Sequence, residues 1–128
     1  MVDLRTKGKL RVAVTGATGF IGGYMLRGFS SAGHTVRALA RPGREGAVQH
    51  PPEQRCELHT GDLNDVASLK GFLDGVDLLL HLASAHDHLG DEEMQRVNIQ
   101  GTQHLLDLAR KEAPPHFQIW VVSSAVIG

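Results

Sequence analysis

Apolar positions along the chain alternate between two spacings. Leu10-Arg-Val-Ala-Val-Thr15 is a short apolar run of strand length, and Ile21, Met25, Leu26 and Phe29 follow at helical spacing. That helix is predicted to stop at Gly33, a residue suited to a helix C-terminus. Thr35–Ala40 and Cys56–Thr60 read as the second and third strands. Between them Arg41 to Arg55 carries Pro42, Pro51 and Pro52, which predicts loop with one irregular helical turn. Asn64 is placed to cap a helix running through Leu69, Phe72 and Leu73, with Gly75 after its end. Val76-Asp-Leu-Leu-Leu-His-Leu-Ala83 is almost continuously apolar, as a strand buried on both faces should be. Met94, Val97, Gly101, Leu105 and Leu108 then recur at three- and four-residue steps. Acidic Asp91-Glu-Glu93 opens this long helix and basic Arg110-Lys111 closes it, both in the sense of the helix dipole. Pro114 and Pro115 end it, and Phe117–Val122 is the fifth strand.

Strand and helix thus alternate from start to finish, the pattern of an α/β domain with a parallel sheet and crossover helices. A chain of 128 residues makes one such domain with a real core. Thirteen Lys and Arg against 14 Asp and Glu leave a net charge of −1. That excludes a general electrostatic grip on nucleic acid or anionic membrane. The longest apolar stretch is far too short to span a bilayer. Cys56 is the one cysteine, so no internal disulfide or cysteine metal cluster can form, and the cytoplasm is the expected compartment.

Glycine changes the picture. There are 15, and the most informative spacing is Gly16-Ala-Thr-Gly19-Phe-Ile-Gly22, directly after the first strand and opening the first helix. Backbone amides at a helix N-terminus, with no Cβ in the way, suit a pyrophosphate. Within one strand–helix–strand unit this triplet predicts a dinucleotide site. An acid that would hold the ribose 2′-hydroxyl belongs at the end of the second strand, but the residues there are Ala40-Arg41-Pro42-Gly43-Arg44. A guanidinium matches a 2′-phosphate in charge and geometry, which favours NADP, with NAD still open. The other reading of Arg41 and Arg44 is a pair of solvated loop charges. Asp62, after the third strand, is placed either to accept from an adenine amino group or to cap a helix.

Five segments occur in order: Thr15-Gly-Ala-Thr-Gly-Phe-Ile-Gly22, Gly61-Asp-Leu-Asn-Asp65, His81-Leu-Ala-Ser84, Val97-Asn-Ile-Gln-Gly-Thr102 and Val122-Ser-Ser-Ala125. Together they resemble the extended short-chain dehydrogenase/reductase family of NAD(P)-dependent epimerases, dehydratases and reductases, over residues 9–128. The resemblance implies a Rossmann-like doubly wound sheet of five strands in the order 3-2-1-4-5. It also implies that Gly16, Thr18, Gly19, Phe20, Ile21 and Gly22 cradle the pyrophosphate. Arg41 would meet the adenosine ribose, Asp62 and Leu63 the adenine, and Ala83 and Ser84 the groove toward the nicotinamide. Asn98 and Thr102 would brace the long helix beneath the site. Ser123 or Ser124 would be the catalytic hydroxyl, with Ser124 favoured, although Ile127 stands where the family often has tyrosine.

The family's acid–base pair is a tyrosine with a lysine four residues later, the cation favouring the phenolate. Tyr24 is the one tyrosine here, Gly28 stands four residues on, and no lysine follows Lys111. The fifth strand would also lie at an uncovered sheet edge, which invites association, a homodimer being one form. These features predict the N-terminal part of a longer enzyme without its substrate lobe. Its substrate would be a small carbonyl compound or a sugar nucleotide. The alternative is a non-catalytic NADP-binding or redox-sensing regulatory protein.

Eight histidines raise a metal reading, mainly through His86-Asp-His88, but a flexible pair does not make a tetrahedral site and no metal is expected. His81, inside an apolar strand, reads as a hydrogen-bonded neutral imidazole. Cys56 reads as a small apolar core residue. Phe117 and Trp120 read as core or interface residues.

Overall fold

The computed structural model describes residues 8–17, 20–48, 56–82 and 91–121, without the side chains of Phe20, Asp91, Glu93, Met94, Gln95, Val97 and Asn98. Five strands, β1 (Arg11–Thr15), β2 (Thr35–Ala40), β3 (Cys56–Thr60), β4 (Leu78–His81) and β5 (Gln118–Val121), form one sheet. Its order is β3-β2-β1-β4-β5 and every pairing is parallel. The order reverses between β1 and β4, where Thr15 lies in register with His81. Among the described residues two α-helices accompany the sheet, α1 (Phe20–Ser31) and α2 (Asp91–Glu112).

Side chains alternate across the strands, so each face of the sheet carries its own core. Val12 and Val14 of β1, with Val36, Ala38, Leu78 and Leu80, pack toward Leu26, Met25 and Phe29 of α1. Ala13, Leu39 and Leu79 point the other way, to Phe72, Leu73, Val76 and Leu105. Phe117 packs half-buried against this second cluster and Trp120 against the first. β5 is an edge strand and Val121 on it is exposed. Among the described residues, no helix is long and apolar enough to cross a membrane. The first helix ends as predicted, with His34 N–H donating to Phe29 O across Gly33.

The predicted helix from Asn64 to Leu73 is not there. A 3₁₀ turn at Val66–Leu69 takes its place, flanked by Asp65 with no side-chain cap bond, and turns continue to Gly75. Gly71 has φ +89°, left-handed backbone that an α-helix cannot continue through. The polar groups that a helix would satisfy internally are met instead by side chains from other elements. Arg37 Nη1 donates to the carbonyls of Gly71, Phe72 and Asp74 at 2.9–3.1 Å. The Glu112 carboxylate accepts from Gly71 N–H at 3.0 Å and Leu73 N–H at 2.7 Å. This compact crossover still delivers Leu69, Phe72 and Leu73 fully buried against the sheet.

Candidate functional site

Because every strand runs the same way, Thr15, Ala40, Thr60, His81 and Val121 all end on one edge of the sheet. In open α/β sheets of this kind, ligands bind outside the carboxyl ends of the strands, at the reversal in strand order. The loop after β1 is closed by backbone contact. A Cβ on Gly22 would lie 1.9 Å from Gly16 O and 2.9 Å from Ala17 Cα, so no other residue fits there without moving the loop. Gly16 itself has φ +75°. The third glycine therefore lets α1 begin against the end of β1, as the spacing predicts. Thr18 and Gly19 lie outside the described residues, as does the Phe20 side chain. Ile21 is on the exposed side of α1's first turn.

Beneath the reversal point lies a buried polar link between three elements. His81 Nδ1 is 2.7 Å from Thr15 Oγ1, and His81 Nε2 is 3.0 Å from Thr102 Oγ1 on α2. Thr15 Oγ1 also accepts from Leu82 N–H at 3.1 Å. Burial pushes the His81 pKa down, so the ring is neutral with both nitrogens hydrogen-bonded. This agrees with its reading as a core histidine.

The loop after β3 is held from both sides. Ser68 Oγ accepts from Asp62 N–H at 2.9 Å and donates to Asp65 O at 2.6 Å. A Cβ on Gly61 would meet Ser68 O at 2.8 Å. Across the loop, His104 Nδ1–H donates to Leu63 O, and Leu63 packs on Gly101, where a Cβ would be 3.2 Å from Leu63 Cδ1. One Asp62 carboxylate oxygen accepts from Asn64 N–H at 2.9 Å, a local turn rather than a helix cap.

The loop after β2 is open by contrast. Arg41, Pro42, Gly43 and Arg44 are all exposed, and Arg44 N–H donates to Arg41 O at 2.9 Å, closing a turn over Pro42-Gly43. A 3₁₀ turn follows at Glu45–Ala47, the irregular turn expected there. Ala83, Ser84, Ser123 and Ser124 lie outside the described residues, as do His86 and His88. The described residues contain no group of three or more His, Cys, Asp or Glu side chains able to hold a metal. Cys56 is half-buried against the α1-side core and burial raises its thiol pKa, so it is no activated nucleophile. Ser68 and His104 escape sequence reasoning, because their partners are backbone atoms of a loop whose path the tertiary structure sets.

Residues 12–128 match the NAD dependent epimerase/dehydratase family. The chain belongs to that family. It is 30% identical over 126 residues to a 3 beta-hydroxysteroid dehydrogenase/Delta 5-->4-isomerase of Mycobacterium tuberculosis, over 92% of this chain and 33% of that protein. The structure resembles UDP-N-acetylglucosamine 4-epimerase from Bacillus cereus with a TM-score of 0.68 and 27% identity, over 90% of this chain and 35% of that one. It also resembles a short-chain dehydrogenase/reductase superfamily protein of Agrobacterium tumefaciens with bound NAD. There the TM-score is 0.66 and the identity 26%, over 90% of this chain and 33% of that one. The chain spans about a third of the length of these relatives. The epimerase/dehydratase match begins within β1 and includes the whole glycine segment from Gly16 to Gly22.

Proposed function

We propose that residues 1–128 form the dinucleotide-binding part of an oxidoreductase, epimerase or dehydratase that acts in the cytoplasm on a small carbonyl or alcohol compound. The observation that carries this reading is Gly22 seated on Gly16, at the carboxyl end of β1 beside the reversal in strand order. A glycine-lined helix start at that place suits a pyrophosphate, so Gly16, Thr18, Gly19, Phe20, Ile21 and Gly22 are assigned to it. The bound nicotinamide supplies the chemistry of hydride transfer at its C4. Ala83 and Ser84, which follow β4, line the groove toward that ring. Ser124, which follows β5, donates a hydrogen bond to the substrate oxygen and so stabilises charge developing on it. The proton comes from a tyrosine–lysine pair outside these 128 residues.

We assign the ribose end of the site to Arg41, with Arg44 beside it across the Pro42-Gly43 turn, and the adenine to Asp62 and Leu63. An exposed guanidinium at the end of β2 attracts a 2′-phosphate more strongly than a hydroxyl, so NADP is the preferred cofactor. The steroid dehydrogenase and sugar-nucleotide epimerase relatives differ in substrate while aligning with the same part of the fold. That supports substrate selection by residues elsewhere in the enzyme.

Titration of the full-length native protein with NADPH and NADH tests the reading. Tighter binding of NADPH is expected. Equal affinities would remove the assignment of Arg41, and no binding of either would overturn the site. Dinucleotide binding without turnover of any carbonyl substrate would favour a regulatory, redox-sensing role.

A further inference from the structure

We propose that His104 on α2 and Ser68 in the β3–β4 crossover are positioning residues that set the adenine end of the crevice, an inference that rests on the dinucleotide reading above. The Gly61–Asp65 loop leaves the same sheet edge as the glycine loop, and Gly61 N–H donates to Ala40 O at the end of β2. From there its path is dictated by two side chains that bond to its backbone. Ser68 Oγ bonds to Asp62 N–H, Asp62 O and Asp65 O, at 2.9, 3.2 and 2.6 Å. Ser68 itself is anchored, since His59 Nε2–H donates to its carbonyl at 2.8 Å. On the far side His104 Nδ1–H donates to Leu63 O. A carbonyl can only accept, so the Nδ1–H tautomer is required.

The Leu63 carbonyl and the Asp62 amide are thus tied to different elements, one to α2 and one to the crossover. A loop held at both flanks presents its intervening groups without paying ordering entropy when ligand arrives. The same stretch of α2 reaches the other half of the crevice, because Thr102 holds His81 and through it Thr15. Gly101, Thr102 and His104 therefore let one helix set the separation between the adenine loop and the end of β1. Removal of the His104 contact should loosen the adenine end alone.

The test uses the full-length native protein, titrated with NADH, 5′-AMP and nicotinamide mononucleotide, which lacks adenine. His104→Leu is expected to weaken NADH and 5′-AMP by the same factor of about five to ten, the worth of one hydrogen bond. Nicotinamide mononucleotide binding should stay within about twofold, and His104→Asn, which keeps an N–H at similar reach, should restore most of the loss. Ser68→Ala provides an independent second variant and should show the same split. Unchanged 5′-AMP affinity in both variants overturns the inference, as does equal weakening of all three probes, which would mean general structural damage. Failure of the unsubstituted protein to bind NADH or NADPH would overturn the underlying dinucleotide reading instead.

Discussion

The loops after β1 and β2 leave neighbouring strands at the same sheet edge, yet they are built in opposite ways. The first is defined by backbone, with Gly22 so close to Gly16 O that a single methyl group cannot enter. The second is defined by exposed side chains, Arg41 and Arg44, displayed on a short turn. A feature made by exclusion tolerates no substitution and suits a group common to every dinucleotide. A feature made by exposed charge can be exchanged at little cost to the fold, so it suits discrimination between cofactors. The first loop should therefore respond to mutation in stability and binding together, and the second in binding alone.

Gly22→Ala is the strongest probe of that contrast. Forcing a Cβ into backbone should cost about 3 kcal/mol or more and abolish dinucleotide binding, read by the urea midpoint and by NADPH titration. If the variant is as stable as the parent and binds, the first loop is not built by exclusion. His81→Leu comes next. It removes the His81 bonds to Thr15 and Thr102 beneath the site and should destabilise by about 1–3 kcal/mol in the same denaturation assay. Arg41→Ala should leave the urea midpoint unchanged and weaken NADPH roughly tenfold with NADH unaffected, the loss of a charge-assisted contact. A parallel loss of NADH affinity would show that the second loop does not discriminate.

Acidification separates the core from the exposed turn in another way. His34 is held below its ordinary pKa by burial and then by Lys9, and His81 by burial. Neutral His34 also accepts from Leu10 N–H at 3.0 Å, a bond its protonated ring would lose. Both native pKa values lie below the unfolded one, so the unfolded chain takes up protons first as pH falls. Stability should be at its full neutral value above about pH 6.5 and decline below it toward the lowered native values. Urea midpoints at pH 7.5 and 5.5 measure this, and no decline would contradict the buried neutral rings. The smallest effect belongs to Arg110→Ala, which breaks an exposed contact with Asp107 at 3.3 Å. It should change stability by less than about 0.5 kcal/mol and leave NADPH affinity alone, which sets the background for Arg41.

Much of this architecture was legible in the residues. The five apolar runs, the glycine triplet, the burial of Leu105 and the neutral, bonded state of His81 all follow from local period and composition. The crossover between β3 and β4 did not. Leu69, Phe72 and Leu73 share a helix-like spacing, and Asn64 resembles a cap, but Gly71 adopts a positive φ and the chain turns instead. Nothing near Gly71 in sequence announces that Arg37 and Glu112 will satisfy its backbone, because they come from β2 and α2.

The same division holds for the site. The residues that close the glycine loop are within seven positions of one another, so a short stretch of chain carries their requirement: no Cβ, and a helix beginning at once. Parallel strand direction follows almost as directly, since buried parallel strands need long crossovers and apolar runs, while the strand order was implied by the family resemblance. What only the tertiary structure decided is which distant side chains hold the loop after β3, namely Ser68 against Asp62 and His104 against Leu63. Those bonds depend on where α2 crosses the sheet and where the crossover turns, positions set by packing on both faces at once. Local sequence encodes what a segment can be, and the packed core selects which polar groups it must meet.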